Sequence, residues 1–536
     1  MLEFPTMAAP EPGRKAARQF EHRAFPLLLV ALGFLARVGL ATITYLNPDE
    51  ALHYWLSVQP SLRLAYQATL TSAHPPLFIL MLYFWHGLGH SELLLRMPSV
   101  LAGTGFCWFG FKWLERVVPY RAALLTLILL LFSPSLIALA AEVRQYALML
   151  FFMAASLYFF ELALTKHSWR FMLLFGAALL LSLLSHYSAL FFALAMAIYA
   201  LLRLYPRRTE TRLVGIWLVT QVLALGLCIF VFIPHLVLLR QQGLPQQIAD
   251  TWLRKSIFHP AEESFLTFVG RQTVRLFRYL VGQPAGGGIA MLFFLYGLFS
   301  LFRPGGQKTP GPKPLELSLV LLTPLIAGIV TSRIYPYGGT RHDSFLALAV
   351  FTVIGSGINA LRPRQGGTDI TVLVALMAVS NLHPSPGGPY IRPQDQRKQL
   401  MHQAVAVLDR SASPAGFVFT DYQGGLVLGY YACQRNLVTL WPSVEPFRKC
   451  PCGRYQAITT STQIWSLSAD QFASQVAQLA TRYGLGAGSE VWFFRSGWGV
   501  ASDRVWSATL SRFGCDAPGS FGASIFLCRL KLVDRV

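Results

Sequence analysis

The chain has 536 residues, 54% of them hydrophobic and 13% charged, with a formal net charge of +20 and a mean hydropathy of +0.46. Soluble domains carry about 25% charged residues, so the composition excludes a water-soluble fold for most of the chain; repeated apolar runs of about 17–24 residues indicate a polytopic α-helical membrane protein. The basic residues lie mostly between those runs, which points to anionic lipid head groups as their partners and excludes nucleic acid.

Residues 1–24 form a basic arm (Arg14, Lys15, Arg18, Arg23) whose Pro/Ala/Gly-rich start indicates disorder. The apolar run that follows is too long for a signal-peptide core and has no small-residue cleavage site, so it reads as the first span. Hydropathy places about eleven spans, near 25–46, 97–113, 121–141, 146–165, 171–186, 188–204, 212–235, 286–303, 315–332, 343–361 and 370–382. With a cytoplasmic N-terminus, the inside connections hold Lys112/Arg116/Arg121, Lys166/Arg170, Arg203/Arg207/Arg208/Arg212, Arg303/Lys308/Lys313 and Arg362/Arg364, which satisfies the positive-inside rule. The run 76–90, "PLFILMLYFWHGLGH", breaks that pattern if it crosses. It is therefore read as a helix on the outer face, the alternative being 12–13 spans. The outside receives loop 47–96, the turn 141–146, the His186-Tyr187 junction, loop 236–285, the turn 332–343 and everything after Leu382.

Residues 25–382 thus form the membrane domain, and 383–536 an extracytoplasmic one. That tail opens on a linker, "HPSPGGPYIRP". Helical patterns at 397–410, 425–432 and 469–483 and strands "GFVFT", "EVWFF" and "SIFLCRL" follow; their alternation indicates a small α/β module. No glycine-rich nucleotide loop lies at a strand-to-helix turn. Cys107 and Cys228 fall in spans, whereas Cys433, Cys450, Cys452, Cys515 and Cys528 fall in the tail. An oxidising compartment permits disulfides there, with Cys515–Cys528 the expected pair. The "CPC" of 450–452 lacks a second ligand cluster of matching spacing, and no metal site is expected from it.

Five polar clusters exceed what hydropathy requires: "NPDEALHYW" with Asp49, Glu50 and His53; "HPPL" with His74; "EVRQYAL" with Glu142, Arg144 and Tyr146; His186-Tyr187; and "YGGTRHDS" with Arg341, His342 and Asp343. Singly, each has a plainer explanation. An acid at a helix end is solvated, an Arg snorkels to head groups, and a His-Tyr pair anchors at the interface. Together they place carboxylates and several cations on one membrane face, the composition of a site for a lipid phosphate. The cations hold a phosphate leaving group, and a carboxylate takes the proton of an attacking hydroxyl. The spans carry almost no charge at mid-depth, Arg37 excepted, which argues against an ion-coupled transporter.

A first span ending in "DEA.HY", then "HPPL", "RMPS" (Arg96 to Ser99), "E.RQYAL" and a late "TRH…LAL" resemble glycosyltransferase family 39, the protein O-mannosyltransferases and their bacterial relatives. They are also similar to the aminoarabinose transferases of lipid A, within the glycosyltransferase C superfamily. The resemblance covers roughly residues 25–360. It implies an inverting transferase that takes a sugar from a polyprenyl-phosphate donor to an extracytoplasmic acceptor on protein, lipid or glycan. By resemblance Asp49 is the general base and Glu50 its companion. Arg37, His53, His74, Glu142, Arg144, Tyr146, His186, Tyr187, Arg341 and His342 are donor- or acceptor-binding positions, with Arg144 and Arg341 as phosphate ligands. Ala73 stands where the aminoarabinose transferases have a Glu able to hold zinc, so no essential cofactor or metal is expected. The rival readings are an aminoarabinose-type transferase and a lipid-linked sugar flippase without catalysis. The expected location is a bacterial inner membrane.

Overall fold

The computed structural model describes residues 12–282, 284–302, 312–361, 367–382, 397–413, 416–438, 446–461, 467–486, 489–497, 513 and 519–532. The start of the basic arm, the "HPSPGGPYIRP" linker, Cys515 and the inside residues Arg303, Lys308, Arg362 and Arg364 lie outside them.

The chain runs α1 (Pro12–Ile43), α2 (Pro48–Ser57), α3 (Leu62–Thr69), α4 (Leu77–Trp85), α5 (Glu92–Val117), α6 (Tyr120–Leu131), α7 (Pro134–Ala140), α8 (Tyr146–Lys166), α9 (Trp169–Ser185), α10 (Ala189–Leu204), α11 (Thr211–Leu227), α12 (Ile233–Gln241), α13 (Leu244–Asp250), α14 (Phe265–Val281), α15 (Pro284–Leu301), α16 (Pro314–Val330), α17 (Ala347–Leu361) and α18 (Gly367–Leu382). Each of the eleven expected segments is helical. Among the described residues six helices are long and apolar enough to cross a membrane, seven if α6 and α7, bent by 58° at their junction, count as one. The apolar helices Leu77–Leu88, Trp169–Ser185, Pro314–Val330 and Thr368–Leu382 are shorter.

Burial orders the bundle. The apolar windows of Tyr146–Lys166 and Arg341–Leu361 are 72% and 83% buried, against 17% for Thr211–Gln241, so α8 and α17 are central and α11–α12 faces lipid. At the far end of α8, Glu161 accepts from Arg203 Nη2 at 2.8 Å and from the Tyr199 hydroxyl at 2.5 Å, and Arg203 Nη1 reaches Glu316 at 3.3 Å. These bonds join α8, α10 and α16.

The α6–α7 break explains the one charge at mid-depth. Ser133 caps α7 and Pro134 opens it, which frees carbonyls that lipid cannot satisfy. Arg37 Nη1 donates to Leu131 O at 3.1 Å and to Gly33 O at 2.8 Å, and Asn381 Nδ2 to Phe132 O at 3.3 Å. Arg37, fully buried, thus caps the broken span, and it lies away from the other residues expected to bind substrate.

The tail adds α19 (Lys398–Ser411), β1 (Phe417–Thr420), α20 (Tyr422–Leu428), β2 (Phe447–Cys452), β3 (Tyr455–Thr460), α21 (Ala469–Tyr483), β4 (Glu490–Ser496), β5 (Ser520–Phe521) and β6 (Ile525–Lys531) in one sheet of order β2-β3-β1-β4-β6-β5. The small α/β domain is as expected; the β2–β3 hairpin is not in the sequence reading. Pro451 and two basic residues disguise β2, which tolerates them as an edge strand. Its turn uses Gly453 at φ +56°, a conformation glycine adopts without strain.

Cys433 is disulfide-bonded to Cys452 across a separation of 19 residues, a pair the sequence reading did not single out. Closing a loop of that length is worth about 3 kcal/mol in the chain-entropy account. Reduction, or Cys433→Ser, is expected to lower the unfolding midpoint of the tail domain with the membrane helices unchanged, read by site-directed fluorescence in each part.

Candidate active site

The local sequence fixes the helix that carries the acid pair. Asn47 N-caps α2, accepting from Glu50 N at 3.1 Å while Glu50 Oε2 accepts from Asn47 N at 3.0 Å; Pro48 occupies the first turn. This reciprocal cap with Pro near N1 is a strong helix start, and it points the two neighbouring acids apart.

Glu50 faces inward and is 1% exposed. Its Oε1 accepts from Arg96 Nε at 2.7 Å and Val143 N at 2.8 Å, and its Oε2 from Arg96 Nη2 at 2.8 Å as well as Asn47 N. A carboxylate offers about four acceptor sites, so Glu50 has none left for a substrate, and its expected catalytic role gives way to a structural one. Arg96, also fully buried, spends its remaining donors on Ala41 O, Thr44 O and Tyr45 O at 2.7–2.9 Å. The Glu50–Arg96 pair thereby ties the end of α1, the start of α2, α5 and the 141–145 turn together.

Asp49 faces the other way, its side chain 28% exposed. Its Oδ2 lies 2.9 Å from Arg144 Nη1 and 3.0 Å from Arg341 Nη2, and Arg341 Nη1 is 3.9 Å from Glu142 Oε2. Burial alone pushes the Asp49 carboxyl up, but the two guanidiniums outweigh it and hold the group down to about 2. For Glu142 burial prevails over the same arginines, with Glu50 and Asp49 adding repulsion, and the carboxyl is pushed up to about 6.

Two glycines place Arg341. A Cβ on Gly338 (φ +128°) would sit 2.7 Å from Gln272 Oε1, and one on Gly339 2.7 Å from the main-chain oxygen of Arg275. The "YGG" turn is therefore pressed against α14, which aims the following arginine at Asp49.

Beside the acid and its arginines runs a row of imidazoles. Ring centroids are 5.7 Å apart for His53–His74, 5.4 Å for His74–His186 and 6.1 Å for His186–His342, with Tyr146 at 4.9 Å from His186 and 5.9 Å from His342. Arg144 stacks over Tyr146 at 5.6 Å. Burial, aided by the Arg144 charge, lowers His53 and His186 to about 3, so both rings are neutral. His53 Nδ1 bonds the Asp49 main-chain oxygen at 2.7 Å, and Nε2 meets Gln145 at 3.1 Å. With Nδ1 donating, His53 Nε2 accepts from the Gln145 amide, and among the described residues His74 Nδ1 and Arg144 Nε are buried with no hydrogen-bond partner. Buried polar atoms are nearly always paired, so these two atoms, beside the ion pairs of Asp49, are candidate ligand contacts.

The structure thus brings together Asp49, His53, His74, Glu142, Arg144, Tyr146, His186, Arg341 and His342. Tyr187 is placed apart, its hydroxyl 2.5 Å from His235 Nδ1 and its ring against Phe232, where it links the α9–α10 junction to α12. Asn47, Arg96 and Gln145 were missed. "NPDE" has the spacing of a capping box, and an Arg inside an apolar helix needs a buried acid, so two of the three had a signal.

Residues 73–237 match the family described as Dolichyl-phosphate-mannose-protein mannosyltransferase, a stretch that holds His74, Glu142, Arg144, Tyr146 and His186. The resemblance drawn from "HPPL" and "E.RQYAL" is upheld there. No curated protein sequence matches the chain. Two solved structures share the fold: ArnT from Cupriavidus metallidurans in the apo state, with a TM-score of 0.55, and the same protein bound to undecaprenyl phosphate, with 0.53. Each is 14% identical, and the match covers 94% of this chain and 98% of that one. The likeness is one of fold: a bundle of apolar helices with a small C-terminal sheet domain.

Proposed function

We propose that the protein is an inverting glycosyltransferase that moves a sugar from a polyprenyl-phosphate donor to an acceptor hydroxyl on the non-cytoplasmic side of a bacterial inner membrane. The observation that carries the reading is Asp49 held between Arg144 and Arg341 beside buried polar atoms without partners.

In this reading the donor phosphate competes with Asp49 for the two guanidiniums, which bind phosphate oxygens through charge-assisted hydrogen bonds. Released from them, the Asp49 carboxyl becomes a better base. It takes the proton of the acceptor hydroxyl as that oxygen attacks the anomeric carbon from the face opposite the phosphate. The carbon–oxygen bond to phosphate breaks, and polyprenyl phosphate leaves with its new charge on Arg144 and Arg341. Neutral His74, His186 and His342, with Tyr146, line the sugar side. The reading needs no metal, and the EDTA arm below tests that. Orientation with the N-terminus cytoplasmic is supported by the basic inside connections, and the packing of the tail domain against the Asp49 helix puts both on one side.

The test is sugar transfer by purified protein in nanodiscs, with polyprenyl-phosphate mannose, glucose and aminoarabinose supplied separately, with and without EDTA. Turnover with a hexose that survives EDTA supports the proposal; turnover with aminoarabinose alone moves the chain to that subtype. Donor translocation without transfer makes it a flippase.

A pH effect follows from Glu142. When all are ionised, Asp49 and Glu142 balance Arg144 and Arg341. Because the Glu142 carboxyl is raised to about 6, its contribution to stability is full below the ordinary carboxyl value and is lost as pH rises through about 6. Its protonation leaves one net positive charge facing a donor phosphate that carries a single negative charge. Donor KM is therefore expected to fall roughly fivefold between about pH 7.5 and about pH 5, the worth of about 1 kcal/mol for a unit charge near 4 Å. Glu142→Gln should show the low KM at both; a pH dependence unchanged by that substitution would refute the assignment.

A further inference from the structure

In the tail sheet the parallel strands β3, β1 and β4 lie side by side with β1 in the middle. The chain builds β3 on one side of β1 and then returns through α21 to build β4 on the other. At such a reversal, doubly wound sheets leave a crevice beyond the carboxyl ends of the strands, and that crevice takes their ligands. Here its edges are Thr420–Asp421 and Ser496–Gly497. What fills it is the chain's own Tyr45–Pro48, the residues directly ahead of Asp49.

The contacts are specific. Ser496 Oγ donates to the Tyr45 hydroxyl at 3.4 Å, and the Tyr431 hydroxyl accepts from Leu46 N at 2.8 Å. That hydroxyl also donates to Glu92, which pairs with Lys398. Trp55 Nε1, nearly two turns beyond Asp49 on α2, donates to Leu426 O at 3.0 Å. Gly497 has φ +119°, and a Cβ there would lie 2.3 Å from Pro48 Cγ and 2.9 Å from Gln423 Oε1. Beneath the crevice Asp421 and Arg495 are buried 3.8 Å apart, with Asp421 capping α20 through Gly424 N at 2.8 Å.

We infer that the tail domain is a clamp on the Asp49 helix, its switch-point crevice closed over Tyr45–Pro48, with Gly497 and Tyr431 as positioning residues. The inference rests on the transferase reading for its effect on turnover. α2 has only 10 residues, too short to be stable alone, so its position is set by its contacts: the Glu50–Arg96 pair on one side and the tail on the other. Asp49 is the next residue after the one that Gly497 touches. An added methyl group at 497 must move Pro48 by about 1 Å to restore ordinary carbon contact, and a misplacement of that size at a reacting group costs on the order of 10²-fold in rate.

The experiment uses the full chain in nanodiscs: wild type, Gly497→Ala, Tyr431→Phe and Trp55→Phe, read by hydrogen exchange of the 45–57 segment and by transfer kinetics. Tyr431→Phe keeps the ring and removes only the hydroxyl, so it separates positioning from folding. The expected result is at least about tenfold faster exchange of 45–57 in Gly497→Ala and Tyr431→Phe, with kcat lowered about 10- to 100-fold and donor KM unchanged. Exchange of 45–57 equal to wild type in both variants overturns the clamp. Wild type without turnover on any donor defeats the transferase reading instead, and the exchange measurement still decides the clamp.

Discussion

Asp49→Asn is expected to lower kcat for sugar transfer by about 10²–10⁴-fold, the usual worth of a positioned general base, while donor KM stays the same or falls. The amide keeps the shape of the carboxyl and cannot take the acceptor proton. It also leaves Arg144 and Arg341, both within 3.0 Å of Asp49 Oδ2, without their shared counter-charge. An anionic donor is then held at least as firmly, because it no longer competes with a carboxylate. The split between kcat and KM separates this from plain misfolding, and steady-state kinetics with graded donor read it directly. A parallel loss of donor binding would show that Asp49 organises the site rather than acting on the acceptor. Turnover near wild type would remove it from the reaction.

The second large effect is on folding. Arg96→Met should destabilise the protein by about 3–5 kcal/mol, the cost of stranding one member of a buried ion pair. Glu50 would be left 1% exposed with half its hydrogen bonds gone, and the carbonyls of Ala41, Thr44 and Tyr45 would lose their donor. Thermal unfolding in detergent and the yield of monodisperse protein are the measurements. Glu50→Gln combined with Arg96→Met should recover part of the loss, because the uncompensated charge is then gone. A single Arg96→Met variant as stable as wild type would mean that the pair contributes nothing to the fold. Asp49→Asn and Arg96→Met thus test a division of work between adjacent acids: Asp49 is partly exposed and proposed as the base, whereas Glu50 is sealed in the fold.

Some of this could be read along the chain. Apolar runs of membrane-spanning length are one-dimensional signals, and all eleven proposed segments proved helical. Their lengths carried less: the 58° break at Ser133-Pro134 divides one run into two short helices, although the Pro itself was in view. Strands were legible where apolar residues run together, as in β1, β4 and β6, and hidden in β2, where "FRKCPC" mixes charge, Pro and Cys on an edge.

For the site, residue types and approximate depth were enough to gather Asp49, His74, Arg144, His186 and Arg341, since polar groups that hydropathy does not demand collect at one end of the spans. Partnership was not legible. Glu50 and Asp49 are neighbours with the same side-chain chemistry. Which of them meets Arg96 depends on the facing of a helix whose start is set by Asn47 and whose orientation is set by packing. Arg37 and Arg144 likewise look alike in sequence; one lies against a broken helix and the other opposite a carboxylate.

The sequence by itself determined that this is a multi-helix membrane protein with a small α/β tail and polar clusters at one end of its spans, because spans and strands are set by local runs of side chains. Only the tertiary structure decided which acid is sealed in the fold, which arginines hold the other, and that the tail closes over the segment preceding Asp49. Those facts depend on contacts between residues as far apart as Tyr45 and Ser496, and no local pattern encodes which distant group will arrive.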